Sequence, residues 1–86
     1  MRRTGTVAAL NLNRGMVAIA TEDDGFTIIE LLSEWDVEVG DEMSWAGGYA
    51  LGSEVYENRT KHTREEVFVQ NHSVSHANLR NQLLLT

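Results

Sequence analysis

There is no cysteine in this chain of 86 residues and no proline, and aromatic residues make up only 7% of it. Without cysteine neither a disulfide framework nor a thiolate metal site is available, and a reducing compartment is permitted. Stability must come from packing and strand pairing. Without proline, every tight turn has to rely on Gly, Asn or Asp. No stretch approaches the roughly 20 apolar residues of a membrane span, and the opening "MRRTGTVAAL" lacks the apolar run and small-residue cleavage site of a secretory signal. The expectation is a cytoplasmic protein that does not engage a membrane. A chain this short has room for one domain with one modest core.

Positive charge is also missing from the middle. The formal net charge is -6, and no lysine or arginine stands between Arg14 and Arg59, whereas every carboxylate except Glu65 and Glu66 falls in that interval. Affinity for nucleic acid depends largely on lysine and arginine releasing counterions from phosphates, so the acidic middle disfavours that partner. "NRTKHTR", with Arg59, Lys61, His62 and Arg64, is the single basic cluster, and it reads as a solvated loop between strands.

What is present is a period of two broken by turn residues. In the first segment Val7, Ala9 and Asn11 alternate with Thr6, Ala8 and Leu10, and "NRG" at 13–15 supplies the turn into "MVAIATE". "DDG" at 23–25 turns the chain into "FTIIELLS". Gly40 precedes a fourth strand through Met43 and Trp45, and the glycine-rich "GGYALGS" precedes a fifth in "EVYENRT". "EEVFVQNH" either extends the last strand or adds a sixth. Strand alternation puts Val7, Val17, Ile19 and Ile29 inside and leaves Met16, Ala18 and Ile28 on the opposite face.

The period then changes. In "SVSHANLRNQLLLT", Ser75 is placed to cap a first helical turn, Val74 to pack on Leu79 as a hydrophobic staple, and Leu79 and Leu83 lie one turn apart. A short C-terminal helix is expected, with Leu84 and Leu85 adding apolar surface. The whole of residues 1–86 reads as one mainly β domain: a small five-stranded barrel over about 4–72 and a helix over about 75–85.

At this point a resemblance enters. The opening residues resemble the cold-shock domain, an OB-fold barrel beginning G-x-V-x-W-F-N-x-x-K-G-[FY]-G-F-I. Gly5, Val7, Asn11, Arg14 in place of lysine, Gly15, Ile19 and the "DDG" turn align without a gap. "GDEMSW" is similar to the family's fourth strand and "YEN" to its fifth, so the likeness covers about residues 5–58. Cold-shock proteins stack bases on aromatics of the second and third strands. This chain has Ala9 and Leu10 for Trp-Phe, Met16 and Ala18 for two Phe, and Ile28, Glu30 and Leu31 for Phe, His and Phe. With each stack worth about 1 to 3 kcal/mol, losing four of them implies at least about a thousandfold weaker binding by that route.

An aliphatic face in place of an aromatic one needs cover. Met16, Ala18, Ile28, Leu79 and Leu83 therefore form the candidate surface, either docking the chain's own helix or serving a partner protein or a second copy. The expected function is a non-enzymatic interaction or regulatory module. The alternative is a single-strand binder of weak or altered specificity that uses Trp35, Tyr49 and Tyr56 beside Arg59, Lys61 and Arg64. No cofactor is expected. No metal site is expected either, because His72 and His76 are separated by the cap at Ser75 and lack a third ligand nearby. Ser73 and Ser75 beside those histidines are what a capping segment contains without any nucleophilic role.

Overall fold

The computed structural model describes residues 2–22 and 25–83. Six strands form it: β1 (Arg3–Asn11), β2 (Met16–Thr21), β3 (Phe26–Leu31), β4 (Glu42–Trp45), β5 (Gly52–Asn58) and β6 (Thr63–Val74). A 3₁₀ turn (His76–Asn78) then leads into α1 (Leu79–Gln82). All strand pairs are antiparallel, and the sheet closes on itself in the order β1-β2-β3-β6-β5-β4, with β4 returning to β1. Closure gives every strand two neighbours, although β4 covers only Tyr56–Asn58 of β5 on that side.

The β1–β2 hairpin turns where the sequence places it. Arg14 N–H donates to Asn11 O (3.1 Å) and Gly15 N–H to Leu12 O (3.2 Å), with Gly15 at φ 67°. That backbone region suits glycine and strains other residues. Gly15 O then accepts from Leu31 N–H at 2.7 Å, which ties the turn to the end of β3. Asp23 and Asp24 of the expected "DDG" turn lie outside the described residues. Gly25 meets a different constraint, because a Cβ there would stand 2.8 Å from Ser73 Cα, so only glycine allows β6 to cross so near.

The strict alternation expected along β1 does not hold. The register with β2 shifts between Val7 and Ala9, so Ala8 is an extra residue. Such a bulge switches the side chains that follow it to the other face. Leu10 consequently packs with Val7 against the interior, and Ala9 packs against the outside cluster. In β2 and β3 the alternation is regular. Val17, Ile19 and Ile29 are inside, and Met16, Ala18 and Ile28 outside.

The expected five strands are six. "EEVFVQNH", left open in the sequence as an extension or a sixth strand, lies within the longest strand, Thr63–Val74, which pairs with both β3 and β5. The basic run is the tight β5–β6 connection. Asn58 Oδ1 accepts from Lys61 N–H (3.1 Å), and His62 takes the positive φ of 59° that a glycine would ordinarily supply.

The interior is centred on Trp45 and Tyr56, whose rings stack nearly parallel (5°) with centroids 4.6 Å apart. Around them stand Val7, Val17, Ile19, Ile29, Met43, Val67 and Val69, with Val37 reaching in from the β3–β4 loop. Among the described residues no helix is long and apolar enough to cross a membrane.

Candidate functional site

The outward face of β2 and β3 is where the resemblance implies a binding surface. It is occupied. Met16, Ala18 and Ile28 are buried together with Val74 of β6 and Leu83, and Ala9, Phe26 and Leu79 pack around them. The C-terminal segment is pinned by Asn11 Nδ2, which donates to Leu83 O at 2.7 Å, and by the His76 ring tilted against Phe26 at 6.1 Å. Leu79 and Leu83 are also linked along the helix, Leu83 N–H donating to Leu79 O at 3.0 Å. The five aliphatic residues singled out in the sequence thus meet in one cluster.

The way the segment begins differs from expectation. Ser75 has the extended backbone of a cap, but its hydroxyl makes no bond to the helix backbone. Ser75 Oγ accepts from Asn78 Nδ2 (3.1 Å), and Asn78 N–H donates to Ser75 O (3.0 Å), which gives a 3₁₀ turn. The α-helix covers only Leu79–Gln82, much less than the 75–85 expected. Leu84 and Leu85 lie outside the described residues. At the rim of this cover Glu30 accepts from Gln70 Nε2 at 2.8 Å, placing a carboxylate where the cold-shock pattern has histidine.

The aromatics of the alternative reading are dispersed. Tyr56 is 0% exposed, and its hydroxyl has no hydrogen-bond partner among the described residues. Burial, helped by the Glu54 carboxylate and opposed by Arg3, pushes the phenol well above its ordinary range. Tyr49 is 55% exposed. The Arg3 guanidinium lies 4.3 Å over its ring, Arg3 Nη1 donates to its hydroxyl (3.0 Å), and His72 meets it edge-on at 5.4 Å. Trp35 is at the other end of β5, its Nε1 donating to Thr63 Oγ1 at 2.9 Å. The six-residue step from Gly52 to Asn58 puts about 20 Å between these ends, so Trp35 and Tyr49 do not form one stacking platform.

The basic cluster is dispersed too. Arg59 pairs loosely with Glu42 (4.0 Å), and Arg64 stands opposite Glu57 in the β5–β6 ladder. Lys61 is turned inward. Its Nζ lies 2.7 Å from Glu38 Oε1, 3.1 Å from Asp36 Oδ1 and 3.2 Å from Asp41 Oδ2. Glu38 foremost, with Asp36 and Asp41 and against partial desolvation, holds this ammonium protonated far above the usual lysine range. Asp41 is itself buried, and burial pushes its carboxyl up. The hydrogen bonds from Asn58 Nδ2 (2.8 Å) and Glu38 N–H (3.0 Å), together with Lys61, outweigh that and hold it below its ordinary value. Lys61 therefore clamps the β3–β4 loop to the β5–β6 turn. No signal in the sequence joins Lys61 to carboxylates as far upstream as Asp36, Glu38 and Asp41.

His72 is committed to the fold as well. Its Nδ1 is 2.8 Å from Thr27 Oγ1 and its Nε2 3.1 Å from Ala50 O, while His76 rests on Phe26. The two histidines do not converge. Among the described residues no group of three His, Cys, Asp or Glu side chains is arranged to hold a metal ion.

A groove of about 690 Å³ opens between the β1–β2 turn and the β3–β4 loop. Leu12, Leu31, Leu32 and Trp35 give it apolar walls, and Ser33, Glu34 and Asp36 form its polar side. The sequence singles out Trp35 and Leu31 but not Leu12 and Leu32, because these come from two connections that no periodicity links. Comparison of the chain with protein-family models, curated proteins and solved structures found no match.

Proposed function

We propose that this chain is a small, non-enzymatic OB-type interaction module that has exchanged a base-stacking surface for a protein-binding role. One observation carries the reading: the β2–β3 face is covered by the chain's own C-terminal segment, with Leu83 buried among Met16, Ala18 and Ile28. A nucleic-acid strand would have to displace that segment and would then meet aliphatic side chains and Glu30 instead of rings. Supporting the OB assignment, the β1–β2–β3 meander closes with the first strand on the fourth and the third on the last. The net charge of -6 opposes phosphate, and the one lysine of the basic turn is held by three carboxylates.

The alternative, weak single-strand binding through Trp35, Tyr49, Arg59 and Arg64, is decided by the same experiment. In a gel-shift titration with single-stranded DNA and RNA at physiological salt, no submicromolar complex is expected. Tight, salt-sensitive binding would overturn the proposal, and its loss on combining Arg59→Glu with Arg64→Glu would place the strand on the basic turn.

A further inference from the structure

The groove between the β1–β2 turn and the β3–β4 loop combines exposed apolar side chains with carboxylates. Leu12 and Leu32 are 60% and 54% exposed, and the half-buried Trp35, on the same loop as Leu32, packs partly against the interior and has its indole N–H fixed on Thr63. An aromatic side chain held in place in this way has little conformational freedom to lose on binding. The charged side chains of its lining are both acidic, although Arg14 sits in the turn between the lining residues Leu12 and Gly15. Glu34 and Asp36 line the groove, Glu65 lies behind Ser33, which donates to it, and no described lysine or arginine is part of the lining. Asp36 shares Lys61 with two other carboxylates, while Glu34 makes no ion pair among the described residues.

We infer that this groove is a docking site for a protein segment in which apolar side chains are flanked by lysine or arginine. The inference rests on the proposed interaction role and names its site and the chemistry of its partner. Apolar side chains enter the Leu12–Leu32–Trp35 walls, and the flanking cations meet Glu34 and Asp36. Charge complementarity of this kind raises the encounter rate and rejects phosphate-bearing partners. A second copy of the chain is a poor occupant, because its basic run "NRTKHTR" carries no aliphatic side chain and the leucines on either side of Arg80, Leu79 and Leu83, are packed on the β2–β3 face. The other exposed large apolar residues, Val39, Tyr49, Leu51, Val55 and Phe68, are not part of the groove's lining, and Val55 and Phe68 lie on the β5–β6 hairpin, where Glu66 and Arg64 mix the charge.

The test is calorimetric titration of the full chain with a short synthetic peptide of alternating lysine and leucine, alongside a lysine-serine peptide, a glutamate-leucine peptide and a single-stranded oligonucleotide. Only the lysine-leucine peptide is expected to bind. Leu32→Ser and Glu34→Lys should each weaken it by about tenfold or more, both variants keeping the parent unfolding midpoint because the side chains are exposed. Glu22→Lys, at the far end of β2, should change affinity by much less. Equal binding of the lysine-serine peptide, equal loss in Glu22→Lys, or indifference to both groove variants would overturn the assignment as mere charge attraction. Self-association abolished by Leu32→Ser would overturn it in favour of a second copy. If neither peptide nor oligonucleotide binds, the groove assignment falls and the interaction module stands; if the oligonucleotide binds tightly, both fall.

Discussion

Two apolar clusters lie back to back on the β2–β3 sheet, and they are held in different ways. The inner one draws side chains from all six strands and from Val37, inside a closed hydrogen-bonded ring. The outer one consists of Met16, Ala18, Ile28 and Val74 under Leu83, and its cover is a 3₁₀ turn followed by a four-residue helix. Burial of the individual side chains is similar, from 0% to 6% exposed. What differs is the route to exposure. Opening the inner cluster means breaking the barrel, whereas the outer one opens when a single short segment detaches. A helix this short has too few internal hydrogen bonds to persist in water, so its order depends on the docked leucines. High burial alone does not make a region part of the cooperative unit.

The sharpest way to stress that difference is to truncate each cluster at its centre. Trp45→Ala removes the ring stacked on Tyr56 and should cost about 3 to 5 kcal/mol, seen as a large fall in the urea midpoint and loss of near-ultraviolet dichroism. Leu83→Ala should cost about 2 to 3 kcal/mol, at the low end for a buried leucine, because the segment can lift away from the sheet. Its main signature should be faster amide exchange confined to residues 76–83, with the Trp45 environment unchanged. Equal, global effects of the two substitutions would erase the distinction.

A smaller effect is expected where the inner cluster is sealed by polar groups. Asn58 is 0% exposed; its Nδ2 serves Asp41 and its Oδ1 serves the Lys61 amide. Asn58→Ala leaves both partners short and should cost about 1 to 2 kcal/mol, loosening the β3–β4 loop and the β5–β6 turn together. The smallest effect is in pH. Asp41 has a folded-state value below its ordinary 3.8, so its contribution is present above 3.8 and is lost as pH falls through the folded value. The Lys61 contribution has the opposite sense, present below 10.5 and lost as pH rises through its elevated folded value. In Asp41→Asn the unfolding midpoint should fall less steeply with acid than in the parent, measured by urea titration from neutral pH downward.

These two regions were not equally legible in the sequence. Along β2 and β3 a hairpin glycine and strict period two separate Val17, Ile19 and Ile29 from Met16, Ala18 and Ile28, and the structure keeps that separation. In β1 two small residues, Ala8 and Ala9, give no sign of which is extra, so the bulge that turns Leu10 inward is invisible. Whether "EEVFVQNH" extends the fifth strand or adds a sixth stays open in the sequence for two reasons. Its turn contains no glycine, His62 taking the positive φ, and Val67 and Val69 are nearly alone among polar residues because the outer side of β6 is mostly solvated. Lys61 reads as surface charge because its carboxylate partners, Asp36, Glu38 and Asp41, come from a different loop. The groove is likewise assembled from Leu12 and Leu32, which the β2–β3 pairing and the Leu31–Gly15 hydrogen bond bring to one end of the meander.

The central claim is that the C-terminal segment covers the β2–β3 face, and methyl nuclear Overhauser spectroscopy on the full chain in solution tests it most directly. Cross-peaks from the Leu83 methyls to the methyls of Ala18, Ile28 and Met16 are predicted, together with slowed exchange of the Leu83 amide bonded to Leu79 O. Random-coil shifts across residues 76–83 with no cross-peak to the sheet would contradict the account and leave that face open.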